Sequence, residues 1–346
     1  MKVWKMNSTS IDLPALQEAA NFLKSGELVA FPTETVYGLG GNGLNPEALC
    51  KIFATKGRPG DNPLILHISD FSQLHELVSL ITPSARLLME RFWPGPLTLV
   101  LPKSNKVPYE ATADLESVAI RMPSHPIALS LIRQAGLAIA APSANLSGRP
   151  SPTNAQDVIE DLAGKIAGVI DGGSTELGLE STVVDCTGSL PMILRPGSIT
   201  LEMLEEVVGL VEADPALVDE KEKPKAPGMK YTHYAPQAQM VMLEDLIDVA
   251  EMLRYAGESK KKIAFISLIG IIDYSIPKNV IILQRGTEGD IAPLAADFYG
   301  LLREMDRQKM DEIYILTVSE VGLGVALMNR MKKAASHRYW KAERRD

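Results

Sequence analysis

Two cations flank one glycine at Lys56-Gly57-Arg58-Pro59, with Asn62-Pro63 and His67 close behind. The glycine lets the backbone turn tightly, so both charges could converge on one polyanion, a triphosphate being a natural guest. A second cluster, Pro32-Thr33-Glu34-Thr35-Val36-Tyr37-Gly38-Leu39, follows a short apolar run. Small hydroxyls at the C-terminal end of a strand commonly hold a ligand in α/β sheets, although a capped turn uses the same residue types. A third is the strand-like Ser117–Arg121, whose last residue needs a partner, because burying a lone guanidinium is costly. A carboxylate ligand bound bidentately would satisfy Arg121, and so would an internal Asp or Glu. The fourth runs Ala141-Pro142-Ser143-Ala144-Asn145-Leu146-Ser147-Gly148 and on to Ser151. There Ser143 and Asn145, two apart in a turn, could share one polar ligand. Downstream, Glu180-Ser181-Thr182 opens a strand and Arg195-Pro196-Gly197 closes one. His67, on a short apolar strand, reads as a core histidine unless it faces the same cavity.

Charge supports a local anion site. The chain carries a net charge of −8, and residues 1–210 hold 15 basic and 22 acidic side chains, whereas residues 238–346 balance 16 against 16. Yet Lys56, Arg58, Arg121, Arg149 and Arg195 sit in Gly/Pro-rich turns of that acidic segment. Any one of them alone reads as solvated loop charge; together they suggest an anion pocket within an acidic domain. Non-specific nucleic-acid binding needs a large positive field and is disfavoured. Cys50 and Cys186, the two cysteines of the chain, are too few for a disulfide framework or a zinc cluster and are expected to be packing residues. No apolar run reaches the ~20 residues of a membrane helix, and Met1 to Ser10 lacks the apolar core of a signal peptide. A cytoplasmic protein is expected. There is no P-loop, no G-x-S-x-G and no H-E-x-x-H; Gly38, Gly40 and Gly43 satisfy G-x-G-x-x-G formally, but Asn45-Pro46 delays the helix, so a Gly-rich turn is expected.

The elements that must position these clusters follow from periodicity and punctuation. Asp12 and Pro14 open a helix with Leu16, Ala19, Ala20 and Leu23 on one face, and Gly26 closes it. Asn45-Pro46 and Thr82-Pro83 start two more helices. Strands are expected at 28–31, 64–68, 97–101, 118–121, 137–141, 168–171 and 182–185, giving an α/β domain with a mixed sheet. Residues 211–237, with four prolines among Lys and Glu, read as a linker. Beyond it, strands at 240–243, 263–268, 280–283 and 312–316 alternate with helices at 246–255, 291–305 and 323–335, a smaller doubly wound, Rossmann-like domain.

Taken in order, the five motifs around Thr35, Lys56-Arg58, Ser143-Gly148, Glu180-Thr182 and Arg195-Gly197 resemble the YrdC-type family. The segment Ala226-Pro227-Gly228-Met229-Lys230-Tyr231-Thr232-His233-Tyr234-Ala235-Pro236 is similar to the connector of its long, two-domain members. The resemblance implies a YrdC-like twisted mixed sheet over residues 1–210, a linker or lid at 211–237 and a C-terminal α/β domain at 238–346. It implies threonylcarbamoyl-AMP synthesis from L-threonine, bicarbonate and ATP with release of pyrophosphate, a nucleotidyl transfer. The product would pass to a separate transferase that modifies adenosine in tRNA, so no stable tRNA binding of its own is expected.

Carried over residue by residue, Lys56 and Arg58 match the positions at the nucleotide phosphates, where they would offset charge during catalysis. Asn62, Ser117, Ser143, Asn145, Ser151 and Arg195 match further ATP positions. Thr35, His67, Arg121, Ala141 and Ser181 match threonine positions, with Arg121 on the carboxylate and Ala141 contributing backbone or shape. Tyr234 matches a linker residue over the nucleotide. Mg²⁺ would arrive on the triphosphate, with no metal ligands from the protein assigned. The competing reading is a nucleotide- or RNA-binding module using the same pocket. A carbamoyl-phosphate-dependent relative would need zinc-binding domains for which two cysteines leave no room, and a hydrolase would need the absent nucleophile motif.

Overall fold

The computed structural model of the chain describes residues 1–215, 234–270 and 275–343. Most of the expected linker, including connector residues 226–233 and with them the expected lid, lies outside the described residues. The chain divides into two compact units, one drawn from Met1–Ser147 and Ser151–Tyr231, the other from Gly148–Pro150 and Thr232–Asp346.

In the first unit the strands are β1 (Lys2–Lys5), β2 (Val29–Phe31), β3 (Gly38–Asn42), β4 (Ile65–His67), β5 (Leu97–Pro102), β6 (Ser117–Arg121), β7 (Ile139–Ala140), β8 (Gly168–Asp171), β9 (Thr182–Asp185), β10 (Met192–Arg195) and β11 (Glu212–Ala213). Among the described residues they form one mixed sheet in the order β1-β8-β2-β3-β7-β4-β6-β5-β9-β10-β11. Three features depart from the sequence-based expectation. Residues 2–5, polar apart from Val3 and the buried Trp4, pair with β8 in parallel. The expected Gly-rich turn is instead strand β3, pressed between β2 and β7. A Cβ at Gly40 would sit 2.8 Å from the Phe31 ring and 3.0 Å from the Val29 carbonyl, so the strand is glycine-rich because its neighbours leave no room for side chains. The first residues assigned to the linker instead continue the sheet, β11 pairing with β10.

The helices form where caps and apolar spacing coincide. Asp12 accepts from the Ala15 amide, and helix Leu13–Lys24 buries Leu16, Ala19, Ala20 and Leu23. Asn45 caps Pro46–Lys56, which stops at Gly57 with φ +61°. The left-handed stop matters because it turns the chain immediately after Lys56. Thr82 caps Pro83–Phe92. One face of the sheet packs a large core that includes Leu39, Leu66, Leu99, Ile120 and Val184. On the other face, helices Leu13–Lys24 and Pro126–Ala135 cover Val29, Phe31 and Ile139. A separate small cluster on that face joins Ile65, Val100, Ala119, Val183 and Leu194. Cys186 is a buried packing residue as expected, its thiol pushed up to about 12 by burial, whereas Cys50 is exposed on its helix and packs against nothing in the core.

In the second unit β12 (Gln239–Leu243), β13 (Ile263–Ser267), β14 (Val280–Gln284) and β15 (Glu312–Leu316) form a parallel sheet in the order β12-β15-β13-β14. Helices Leu246–Glu258, Ala292–Arg307 and Leu323–Ala334 connect or follow the strands. This is the doubly wound pattern read from the alternation of apolar runs.

Candidate functional site

Cross-strand register brings three of the predicted site residues of the first unit, His67, Arg121 and Arg195, into one line. His67 on β4 pairs with Arg121 on β6, Arg121 with Thr98 on β5, Thr98 with Val183 on β9, and Val183 with Arg195 on β10. Paired residues share a face of the pleat, and strands lie about 4.8 Å apart, so the row spans about 19 Å. Arg195 reaches this face through a register shift between Ile193 and Arg195. Strict alternation would put Arg195 on the side of Ile193, which packs in the large core. The extra residue lets both Leu194 and Arg195 serve the site face, the re-aiming that a bulge provides.

At one end of the row, each Arg121 nitrogen meets an internal oxygen. Nη1 donates to Thr35 Oγ1 at 2.9 Å, Nε to the Gly95 carbonyl at 3.3 Å, and Nη2 lies 2.7 Å from Glu34 Oε1. The last contact is an ion pair whose orientation is not that of a hydrogen bond. Both side chains are 4% exposed. An internal carboxylate, that of Glu34, thus stands beside Arg121. Burial pushes the Glu34 carboxyl up, but the Arg121 guanidinium outweighs it and holds the group below the usual carboxylate range. Thr35 Oγ1 also meets Thr33 Oγ1 at 2.9 Å, and Thr33 donates to the Val36 carbonyl. His67 is buried with Nδ1 3.3 Å from the Ile65 carbonyl and its ring edge-on to Phe31. Burial first, then Arg121, push it down to about 3, so it is neutral. It is thus both a core histidine and a member of the site row. Ala141 stands opposite Ile65, donating its amide to that carbonyl at 3.0 Å.

At the other end, Arg195 Nη2 donates to Ser181 Oγ at 3.1 Å and Nε to the Ser181 carbonyl at 3.0 Å. Ser181 Oγ lies 2.7 Å from Thr98 Oγ1. Next to them Ser151, fully buried, donates to Glu180 at 2.7 Å. The bond partners of Thr98 and Glu180 make them members of the site that sequence reasoning gave no role. Glu180, like Glu34 and Thr33, stands inside a motif it did single out. Nothing local marks Thr98, which sits in the apolar run of β5, and only the strand register reveals it.

Lys56 is 2% exposed; its Nζ donates to the Ser143 carbonyl and, at 2.6 Å, to that of Asn145. Ser143 Oγ donates to Asn145 Oδ1 at 2.6 Å. Arg58 donates to the carbonyls of Asn62 and Pro63. The two cations therefore brace the loops that carry Ser143, Asn145 and Asn62. Asn62 Oδ1 is buried without a hydrogen-bond partner, an acceptor still to be satisfied. Ser117 shares the pleat face of Arg121 but lies four residues along β6, about 13 Å away. It lines an open groove with Val100, Pro102, Glu116, Asp185 and Thr187. The Arg121 and Ser117 ends of this face are joined by the apolar strip of Ile65, Ala119 and Val100. Tyr234 belongs to the second unit, where its ring centroid lies 5.1 Å from that of Tyr299. Among the described residues, no three His, Cys, Asp or Glu side chains are grouped to hold a metal ion, and no helix is long and apolar enough to cross a membrane.

Residues 21–197 match the Sua5/YciO/YrdC family model, described as Telomere recombination, and residues 199–336 match that of the Threonylcarbamoyl-AMP synthase C-terminal domain. The threonylcarbamoyl-AMP synthase of Bacillus subtilis is 46% identical over 345 residues, covering 97% of this chain and 98% of that protein. The protein of the same name from Pyrococcus abyssi is 48% identical over 326 residues, 92% of this chain and 94% of its own. A crystal structure of P. abyssi Sua5 complexed with L-threonine has the same fold, with a TM-score of 0.91 at 45% identity, covering 98% of this chain and 99% of that one.

Proposed function

The chain belongs to the threonylcarbamoyl-AMP synthase family in its two-domain Sua5 form, and from that premise we propose that it joins L-threonine, bicarbonate and ATP into threonylcarbamoyl-AMP and pyrophosphate, the supply step for a tRNA-modifying transferase. One observation carries the reading to this site. Two buried guanidiniums, Arg121 and Arg195, stand in a single register row with hydroxyls beside each and an apolar strip alongside. Such a row suits an amino acid carboxylate at one end and nucleotide phosphates at the other.

In this reading Arg121 receives the threonine carboxylate, while Thr35, Ser181, His67 and the backbone at Ala141 shape the rest of the pocket. Arg195, Ser143, Asn145, Ser151 and the open acceptor of Asn62 face the nucleotide, and the apolar strip leading to Ser117 takes a flat aromatic ring. After the bound threonine ammonium gives up a proton, its amine adds to the carbon of CO₂ formed from bicarbonate by loss of hydroxide, and the N–H proton shed in forming the carbamate leaves with that hydroxide as water. A carbamate oxygen then attacks the α-phosphorus, and the bond to pyrophosphate breaks. The residues supply position and charge compensation rather than covalent chemistry. Lys56 and Arg58 contribute by fixing the loops around the phosphates and by their positive charge. Mg²⁺ fits as a companion of the triphosphate, where it would neutralise phosphate charge; among the described residues no carboxylate cluster is set to hold it.

The test is pyrophosphate release by the full chain, with threonine and bicarbonate each omitted in turn. Release that needs both is expected. Release that needs neither, or none under any combination, overturns the synthase reading in favour of a nucleotide-binding module.

A further inference from the structure

Glu34 is a buried acid that the reaction as written leaves unused. It lies against the guanidinium assigned to the threonine carboxylate. The buried ionisable groups facing that point are Arg121, Glu34, His67 and His125; Glu176, which also acts on His125, is exposed to solvent. Burial holds both histidines low, so they are neutral, and the Arg121–Glu34 pair sums to zero. The pocket that receives the carboxylate is therefore electrically balanced before any ligand arrives.

A simple anion docking on Arg121 would leave one uncompensated negative charge in a buried site, next to Glu34. A zwitterion would leave none. We propose that Glu34 is a specificity-determining residue which makes the α-ammonium group obligatory for binding, so that the pocket admits amino acids and rejects the corresponding hydroxy acids. The inference rests on the threonine-site reading of Arg121. Its physical basis is the cost of an unpaired buried charge, which falls on the wrong ligand rather than on the protein. Without Glu34 the balance inverts: the pocket becomes cationic, and a plain carboxylate becomes the better-compensated guest.

The experiment is calorimetric titration of the full chain with three probes: L-threonine, the 2,3-dihydroxybutanoate of the same configuration, and L-threoninamide. Wild-type protein should bind threonine at least about 100-fold more tightly than either singly charged analogue. In Glu34→Gln, dihydroxybutanoate should gain on threonine by at least about tenfold, whereas Glu34→Asp should keep the wild-type order even if all affinities fall. Equal weakening of threonine and dihydroxybutanoate in Glu34→Gln would reduce Glu34 to a structural role and overturn the proposal. So would wild-type binding of dihydroxybutanoate as tight as that of threonine, a measurement that stands even if Glu34→Gln fails to fold. Wild-type protein that binds none of the three overturns the synthase reading itself, and this inference with it.

Discussion

His67 has a consequence for acid stability that follows from its burial. In the unfolded chain it titrates near 6.5, and in the folded protein near 3. Between those values the unfolded state binds more protons, so stability rises with pH there. The contribution is fully present above pH 6.5 and is lost as pH falls toward 3. His67→Phe, which keeps an aromatic ring against Phe31, removes this linkage. Urea midpoints between pH 7 and 5.5 should fall less steeply for the variant than for the wild type; equal slopes would contradict the assignment. At this scale the sequence was legible where a motif and a physical need coincided. Arg121 at the end of an apolar strand announced that it required a partner. Which partner was not legible, because Glu34 is distant in the chain and meets Arg121 only across the folded sheet.

The elements were legible where local signals decide them. The Asp12, Asn45 and Thr82 caps, the stop at Gly57 and the apolar strands of both units all lie where spacing and punctuation put them. Strand β3 was not, since Gly38-Leu39-Gly40-Gly41-Asn42 has almost none of the side chains by which strands are recognised. Its identity is imposed by Phe31, Val29 and Ile139 packed around it. Gly40→Ala tests this, because the added methyl would meet the Phe31 ring at 2.8 Å and Ile139 at 3.0 Å. A loss of about 1–3 kcal/mol by urea unfolding is expected, the usual range for overpacking a core; a neutral effect would mean that β2 and β7 yield easily. The bulge at β10 was equally hidden, since a run such as Met192-Ile193-Leu194-Arg195 reads as an ordinary buried strand.

For the molecule as a whole, charge separates the two functional readings. Residues 1–210 hold 22 acidic against 15 basic side chains, and the cations at Lys56, Arg121 and Arg195 are buried in contacts with their own chain. A surface of that kind lacks the phosphate-neutralising field that long RNA requires. Filter binding at low salt should therefore retain little tRNA, and tight retention that weakens steeply with added salt would instead favour an RNA-binding module. In the second unit, Arg303 is 1% exposed and donates to the Pro150 carbonyl at 2.6 and 3.1 Å, so that this buried cation is spent on structure rather than display. The row on the site face is drawn from His67, Thr98, Arg121, Val183 and Arg195, positions scattered over much of the first unit. No short contiguous fragment carries it, and it exists only while five strands hold register together. The pocket is in that sense a gauge of the entire sheet: whatever occupies it is coupled to global unfolding, and its binding free energy is felt at β4 and β10 alike.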